Sequence, residues 1–252
     1  MDGRVALVTG ASSGIGRATA VELARRGARV MAVARREARL RDLAGEAGVE
    51  FAAVDLATKS GCRRAVEETR SRLGPVEILV NAAGIGTAAE QAVWETPPAV
   101  WRYSMRLNLD APYRLTRLAA ADMVAGGWGR IVNVSSTAGQ SAGREMAAYC
   151  ASKHGLIGLT RAAAVDLAPH GVTCNAVLPG WVRTEMADRS AAAEAQARGV
   201  DTEQVWRERV ASYSAGRIPT AQELAVTIAW LASDEASGVS GETVAVALGE
   251  PW

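Results

Sequence analysis

Short apolar runs alternate along the chain with longer stretches in which apolar residues recur three or four positions apart. The runs at 5–8, 28–33, 50–54, 76–80, 130–135, 172–178 and 242–247 read as strands. Between them, 15–26, 37–44, 61–73, 98–123, 147–168 and 221–232 carry helical spacing. Regular alternation of this kind predicts an α/β fold, a seven-stranded doubly wound parallel sheet with helices on both faces. No repeat, low-complexity tract or Pro/Gly/Ser-rich linker divides residues 1–252, so a single domain is expected. The stretch 184–215 stands apart, being polar and Ala-rich, and follows Pro179-Gly180. A connection that long in a compact α/β domain predicts a lid over a substrate, here with a helix of its own around 202–210.

Composition narrows the function classes. With 49% apolar and 22% charged residues the chain resembles an ordinary folded protein. Its 28 basic and 27 acidic residues are interspersed, which leaves no electrostatic footprint for nucleic acid or an anionic membrane. No apolar run approaches the roughly 18 residues of a membrane span. Met1-Asp2-Gly3-Arg4 lacks the basic start and apolar core of a secretion signal. Cys62, Cys150 and Cys174 lie far apart, without metal-ligand spacing, so no metal is expected and a reducing cytoplasm fits.

The candidate chemistry begins where the first strand ends. Thr9-Gly10-Ala11-Ser12-Ser13-Gly14-Ile15-Gly16 opens the first helix, and its glycines let backbone approach a pyrophosphate at the helix N-terminus. The strand–turn–helix context is that of a Rossmann dinucleotide site, although the spacing differs from G-x-G-x-x-G. Where an acidic residue would repel the 2′-phosphate of NADP, this chain has Ala34 followed by Arg35 and Arg36. A guanidinium pairs with phosphate bidentately, so NADP(H) is expected in preference to NAD(H). Asp55, with Leu56 after it, has two readings: a contact to the adenine amino group, or the N-cap of the following helix. Asn81-Ala82-Ala83-Gly84 ends the fourth strand with small residues that let backbone lie against a cofactor.

Ser135-Ser136 closes the fifth strand, and Tyr149-Cys150-Ala151-Ser152-Lys153 starts the helix after it. Positions four apart share a helical face, which brings the Tyr149 hydroxyl and the Lys153 ammonium together. A free tyrosine, with a pKa of roughly 10, needs such a positive neighbour to act near neutral pH. His154 and His170 have no comparable partners and read as structural.

The Gly-rich turn, Asn81-Ala82-Ala83-Gly84, Asn108, Ser136, Tyr149 and Lys153, in this order and at these separations, resemble the short-chain dehydrogenase/reductase family over essentially the whole chain. The resemblance implies Tyr149 as general acid or base and Ser136 as donor to the substrate carbonyl. It further implies that Lys153 lowers the tyrosine pKa and binds the nicotinamide ribose, while Asn108 holds a water behind it. Pro179-Gly180-Trp181-Val182-Arg183-Thr184 matches the family segment flanking the nicotinamide, which assigns Pro179, Gly180, Val182 and Thr184 to the cofactor. A homo-oligomer, tetramer or dimer, is also implied. The chain departs from the family at Ala82 and at Ala247-Leu248-Gly249 and Glu250-Pro251-Trp252, where many members carry Asp-Gly-Gly and make subunit contacts.

The flanking sequence is similar to polyketide ketoreductases and to carbonyl reductases. Ala142, Gly143, Met146, Trp181 and Met186 are the expected pocket positions, suited to an apolar or aryl ketone. For Trp181 a lid-packing role is the alternative reading. Hydroxybutyrate dehydrogenases hold a carboxylate with basic side chains where Ala138 and Met146 stand here. Three functions follow: an NADPH-dependent ketone reductase running reversibly, a 3-oxoacyl or polyketide ketoreductase on a carrier-bound thioester met by Arg144 or Arg183, and a non-catalytic NADP-binding regulator.

Overall fold

The computed structural model describes residues 1–87 and 91–249, so Glu250, Pro251 and Trp252 lie outside the described residues. The strands are β1 (Val5–Thr9), β2 (Arg29–Ala34), β3 (Glu50–Ala53), β4 (Ile78–Asn81), β5 (Gly129–Val134), β6 (Val172–Pro179) and β7 (Thr243–Val246). All pair in parallel, in the order β3-β2-β1-β4-β5-β6-β7. Every predicted strand is present, its ends displaced by no more than two residues.

Central strands are buried on both faces, which is why β1 reads as an almost unbroken apolar run, while β5 and β6 are as fully buried but carry Asn133 and Asn175, whose amides donate to Thr160 and to the Val239 carbonyl. The two-residue period still sorts their side chains. Ala6 and Val8 of β1 face one core layer with Leu23 and Ile228, while Leu7 faces the other with Val66 and Leu115. The first layer is closed by α1 (Gly14–Arg25) and α9 (Ala221–Leu231), the second by α3 (Lys59–Arg72) and α5 (Ala111–Gly126). The remaining helices of the main body are α2 (Glu37–Ala47), α4 (Pro98–Met105) and α6 (Ala147–Leu167). None of the helices among the described residues is long and apolar enough to cross a membrane. The strand order reverses between β2 and β4 on either side of β1, and their carboxyl ends open into a crevice there.

Two segments depart from the sequence expectation. The single helix predicted over 98–123 is divided into α4 and α5 by a π turn at Arg106–Asp110. Pro112 lacks the N–H that an uninterrupted helix would aim at the Asn108 carbonyl, and the wider turn accommodates that loss.

The segment expected to be a lid holds two helices, α7 (Glu185–Arg198) and α8 (Thr202–Ala211), where only the second was predicted. Thr184 caps α7 by accepting from the Ala187 N–H, and Asp201 caps α8 by accepting from that of Glu203. Ala187, Ala191 and Ala195, four apart, form a stripe that lets α7 lie close on Val205 and Trp206. Small residues make the amphipathic pattern of α7 too faint to mark a helix in the sequence.

The lid's interior contains a cation. Arg209 is 7% exposed, with its guanidinium 3.7 Å from the Trp181 ring centre and 5.2 Å from that of Trp206. It donates to Glu194 Oε2 at 2.9 Å and to the Ala187 carbonyl at 3.3 Å. A desolvated cation–π contact contributes about 2 kcal/mol, so Arg209→Ala should loosen the lid selectively. In hydrogen exchange, amides of α7 and α8 should exchange faster while those of β1, β5 and β6 keep wild-type protection. Uniform acceleration through the sheet would show instead that the lid is not a separate unit.

Candidate active site

A cleft of about 780 Å³ runs along the carboxyl edge of the sheet, from Arg35 and Arg36 at one end to Tyr149 and Trp181 at the other. Every residue singled out from the sequence for the cofactor, the proton-transfer chemistry or the ketone pocket borders it, except Asn81 and Asn108, whereas Arg144 and Arg183 lie off it. Both asparagines are buried behind it.

The nucleotide end is built on the turn after β1. Thr9 Oγ1 donates to the Val80 carbonyl at 3.2 Å and accepts the N–H groups of Ala82 and Ala83 at 2.9 and 3.0 Å. One hydroxyl thereby clamps the ends of β1 and β4 together. The clamp leaves no room for side chains: a Cβ on Gly10, whose φ is +68°, would lie 2.7 Å from the Ala82 oxygen, and one on Gly16 would lie 2.5 Å from the Gly10 oxygen. At the start of α1, Ser13 makes no side-chain cap and the first turn has no acidic residue, so the N–H groups and the helix dipole favour an anion.

Opposite this turn, Arg36 donates to Ser12 Oγ at 3.1 Å and to Ser13 Oγ at 2.6 Å, while Arg35 donates to the Tyr103 hydroxyl at 3.1 Å. Asp55 accepts from the Ala57 N–H at 3.0 Å within a turn, and Thr58 is the N-cap of α3. Asp55 therefore tightens the chain ahead of the helix and borders the cleft with Leu56. A crevice with guanidinium groups at one end and a helix N-terminus midway fits a nicotinamide dinucleotide.

At the other end, β5 and α6 are joined twice. Lys153 Nζ donates to the Val134 carbonyl at 2.9 Å, and Ser135 Oγ donates to the Lys153 carbonyl at 3.1 Å. This holds the ammonium 5.6 Å from the centre of the Tyr149 ring. Burial lowers the Lys153 pKa to about 8, because the charged form loses its hydration. Ser136 Oγ accepts from the Ala138 N–H at 3.1 Å, which engages an oxygen lone pair and leaves the hydroxyl proton to donate elsewhere.

Behind these groups, Asn108 Oδ1 accepts from the Ile85 N–H at 2.9 Å, and its Nδ2 donates to the Ile85 carbonyl and to Ser152 Oγ, both at 3.1 Å. Ser152 in turn donates to the Tyr149 carbonyl at 2.7 Å. Asn81 is turned into the sheet, donating to Asn133 Oδ1 at 2.8 Å.

Ala142, Gly143, Met146, Trp181 and Met186 line the same cleft, joined by Arg189 and Ser190 from α7. Trp181 lines the cleft and stacks on Arg209. Arg183 is drawn into the lid by Glu203 and Asp188, and Arg144 borders a smaller cavity of about 290 Å³ beyond Met146. His154 bonds the Cys150 carbonyl within its own helix.

Sequence reasoning missed Thr9, Ser152 and Glu185, whose carboxylate pairs with Arg36. Thr9 could have been found, since a hydroxyl just before the first glycine can bridge to a neighbouring strand. Glu185 carries no such signal, its partner being 149 residues away.

Residues 4–195 match the family model described as short chain dehydrogenase. The chain is 36% identical to D-beta-hydroxybutyrate dehydrogenase of Cupriavidus necator, over 96% of this chain and 95% of that one. It is 34% identical to the 3-oxoacyl-(acyl-carrier-protein) reductase of Escherichia coli, over 97% and 96%. Among solved structures it is similar to an actinorhodin polyketide ketoreductase variant with NADPH, at a TM-score of 0.93 and 36% identity, covering 98% of each chain.

The buried lysine has a measurable consequence for stability. Its pKa falls from 10.5 in the unfolded chain to about 8 in the fold, so between these values the unfolded state binds the extra proton. Stability contributed at this site therefore rises with pH across that window, and below it the penalty of burying the ammonium is present in full. Urea unfolding of the apoprotein near pH 7.5 and pH 10 should show the wild type gaining relative to Lys153→Met. A constant difference between the two proteins would mean that Lys153 titrates normally.

Proposed function

The chain belongs to the short-chain dehydrogenase family, and on that premise we propose that it is an NADPH-dependent reductase of an apolar or aryl ketone, reversible as a secondary-alcohol dehydrogenase. Oxidoreduction between hydroxyl and ketone groups with a nicotinamide cofactor is the chemistry of the family. The observation that carries the finer reading is the pairing of a buried ammonium with Tyr149 at the end of a cleft whose outer walls are Ala142, Met146, Trp181 and Met186.

The Gly10–Gly16 turn and the α1 N-terminus would hold the pyrophosphate, Arg35 and Arg36 the 2′-phosphate, and Val182 and Thr184 the carboxamide end. A bound nicotinamide supplies hydride in reduction and accepts it in oxidation. In reduction the carbonyl oxygen receives a hydrogen bond from Ser136 Oγ and the proton of the Tyr149 hydroxyl as negative charge develops on it. Lys153 stabilises the phenolate left on Tyr149, and its bond to Val134 keeps the ammonium in place through the transfer. In the reverse direction the same phenolate removes the alcohol proton. Asn108 acts from behind, fixing the segment at Ile85 against α6 through Ser152.

The apolar lining favours a ketone without a carboxylate. A second reading, a carrier-bound 3-oxoacyl or polyketide substrate, is supported by the two ketoreductase relatives, whose names specify such chemistry. Tyr149→Phe should bind NADPH as the wild type does and lose about 10²- to 10⁴-fold in kcat. Turnover near the wild-type rate would remove Tyr149 from the mechanism. A matched panel of free aryl ketones and 3-oxoacyl thioesters, followed by NADPH absorbance, separates the two substrate readings. Higher kcat/KM for the thioesters would overturn the first.

A further inference from the structure

Arg36 lies in the turn between β2 and α2 and lines the cleft, and Glu185 is the first residue of α7, set between Thr184 and Met186, which line the cleft from the other segment. Arg36 Nη1 meets Glu185 Oε2 at 2.5 Å, while the other end of the same guanidinium bonds Ser12 and Ser13 beside the glycine turn. Arg39 approaches the second carboxylate oxygen at 3.5 Å. The walls already touch nearby: a Cβ on Gly14 would lie 3.1 Å from the Thr184 methyl group. Glu185 is held below the usual carboxylate range by its hydrogen bond from Arg36, with Arg39 and Arg189 adding to the positive field. The carboxylate is therefore ionised wherever the protein is folded near neutral pH.

We propose that Glu185 is an internal competitor of the cofactor's 2′-phosphate for Arg36, and so a determinant of cofactor affinity and exchange. The inference rests on the NADPH reading above. A carboxylate and a phosphate both address the guanidinium fork through paired oxygens, and Arg36 cannot give its full fork to both. A cofactor with a 2′-phosphate takes Arg36 and frees the start of α7 from the β2–α2 turn. One without it leaves the ion pair standing. The charged Glu185 also faces any phosphate on Arg36, which speeds its departure after turnover.

Direct fluorescence titration of NADPH and NADH with the wild type, Glu185→Gln, Arg36→Gln and the double variant tests this without turnover. Glu185 is on the surface at the start of a helix, where glutamine preserves its shape. Removing the competitor should tighten NADPH about two- to fivefold, the range of a half-exposed ion pair, and leave NADH unchanged. In the Arg36→Gln background, Glu185→Gln should alter neither. Flat NADPH affinity in Glu185→Gln, an equal gain for both cofactors, or a gain that persists without Arg36 would each overturn the competitor. A wild type that binds NADPH no tighter than NADH would overturn the NADPH reading and the competitor with it. A preference for NADPH with no response at Glu185 would overturn the competitor alone.

Discussion

Lys153 is 6% exposed, and its ammonium exchanges most of its hydration for the Val134 carbonyl at 2.9 Å. Burying a cation is costly unless its donors are satisfied, so the geometry around it has little freedom. Val134 ends β5, Ser135 bonds the Lys153 carbonyl, and Ser136 follows immediately with its hydroxyl fixed by Ala138. The position of one charge therefore sets the relation between a strand end and a helix, and that relation puts Ser136 and Tyr149 on the same cleft. The nucleotide half depends on a smaller constraint of the same sort, the Thr9 hydroxyl that joins the ends of β1 and β4.

The cleft has two walls of different mechanical character. One is the sheet edge, whose residues are tied by ladder hydrogen bonds and two core layers. The other is a small helical unit with its own core, organised around Arg209 between two tryptophans. Trp181 joins the two, since only Gly180 separates it from the end of β6 while its ring rests on Arg209 and its backbone N–H donates to the Tyr213 hydroxyl at 2.5 Å. Packing inside the lid thereby fixes the aromatic surface that a substrate would meet. The residues proposed for the chemistry lie on the stiff wall, and those proposed for selectivity on the one that can vary without disturbing the sheet.

The sheet was legible because a strand buried on both faces is mostly apolar and β-branched, as in β1, a five-residue run with a glycine turn directly after it. The sites at strand ends were legible because glycine, small residues and the Tyr149–Lys153 spacing are each demanded by local geometry. What escaped had non-local or weak causes. The α7 helix hides behind alanine, whose small side chains blur amphipathicity. The break in the 98–123 helix comes from Pro112, which is compatible with a helix start and so leaves the boundary ambiguous. Asn81 shares its motif with cleft-lining neighbours, yet strand alternation and its pairing with Asn133 turn it inward. The Arg36–Glu185 contact joins segments that only the finished topology brings together.

The π turn over Arg106–Asp110 also acts as a phase marker for the chain beyond it. Each residue of a regular helix advances about 100° around its axis, so a turn holding one extra residue rotates everything downstream by that angle. With the rotation, Leu115, Ala119 and Met123 of α5 fall on the core layer while Asn108 points to Ile85 and Ser152. Deleting one residue here would misdirect the whole apolar stripe, with Pro112 still lacking its donor. The irregular turn is the three-dimensional counterpart of an in-register insertion: a single added letter that lets one continuous stretch of helix read correctly on two different faces.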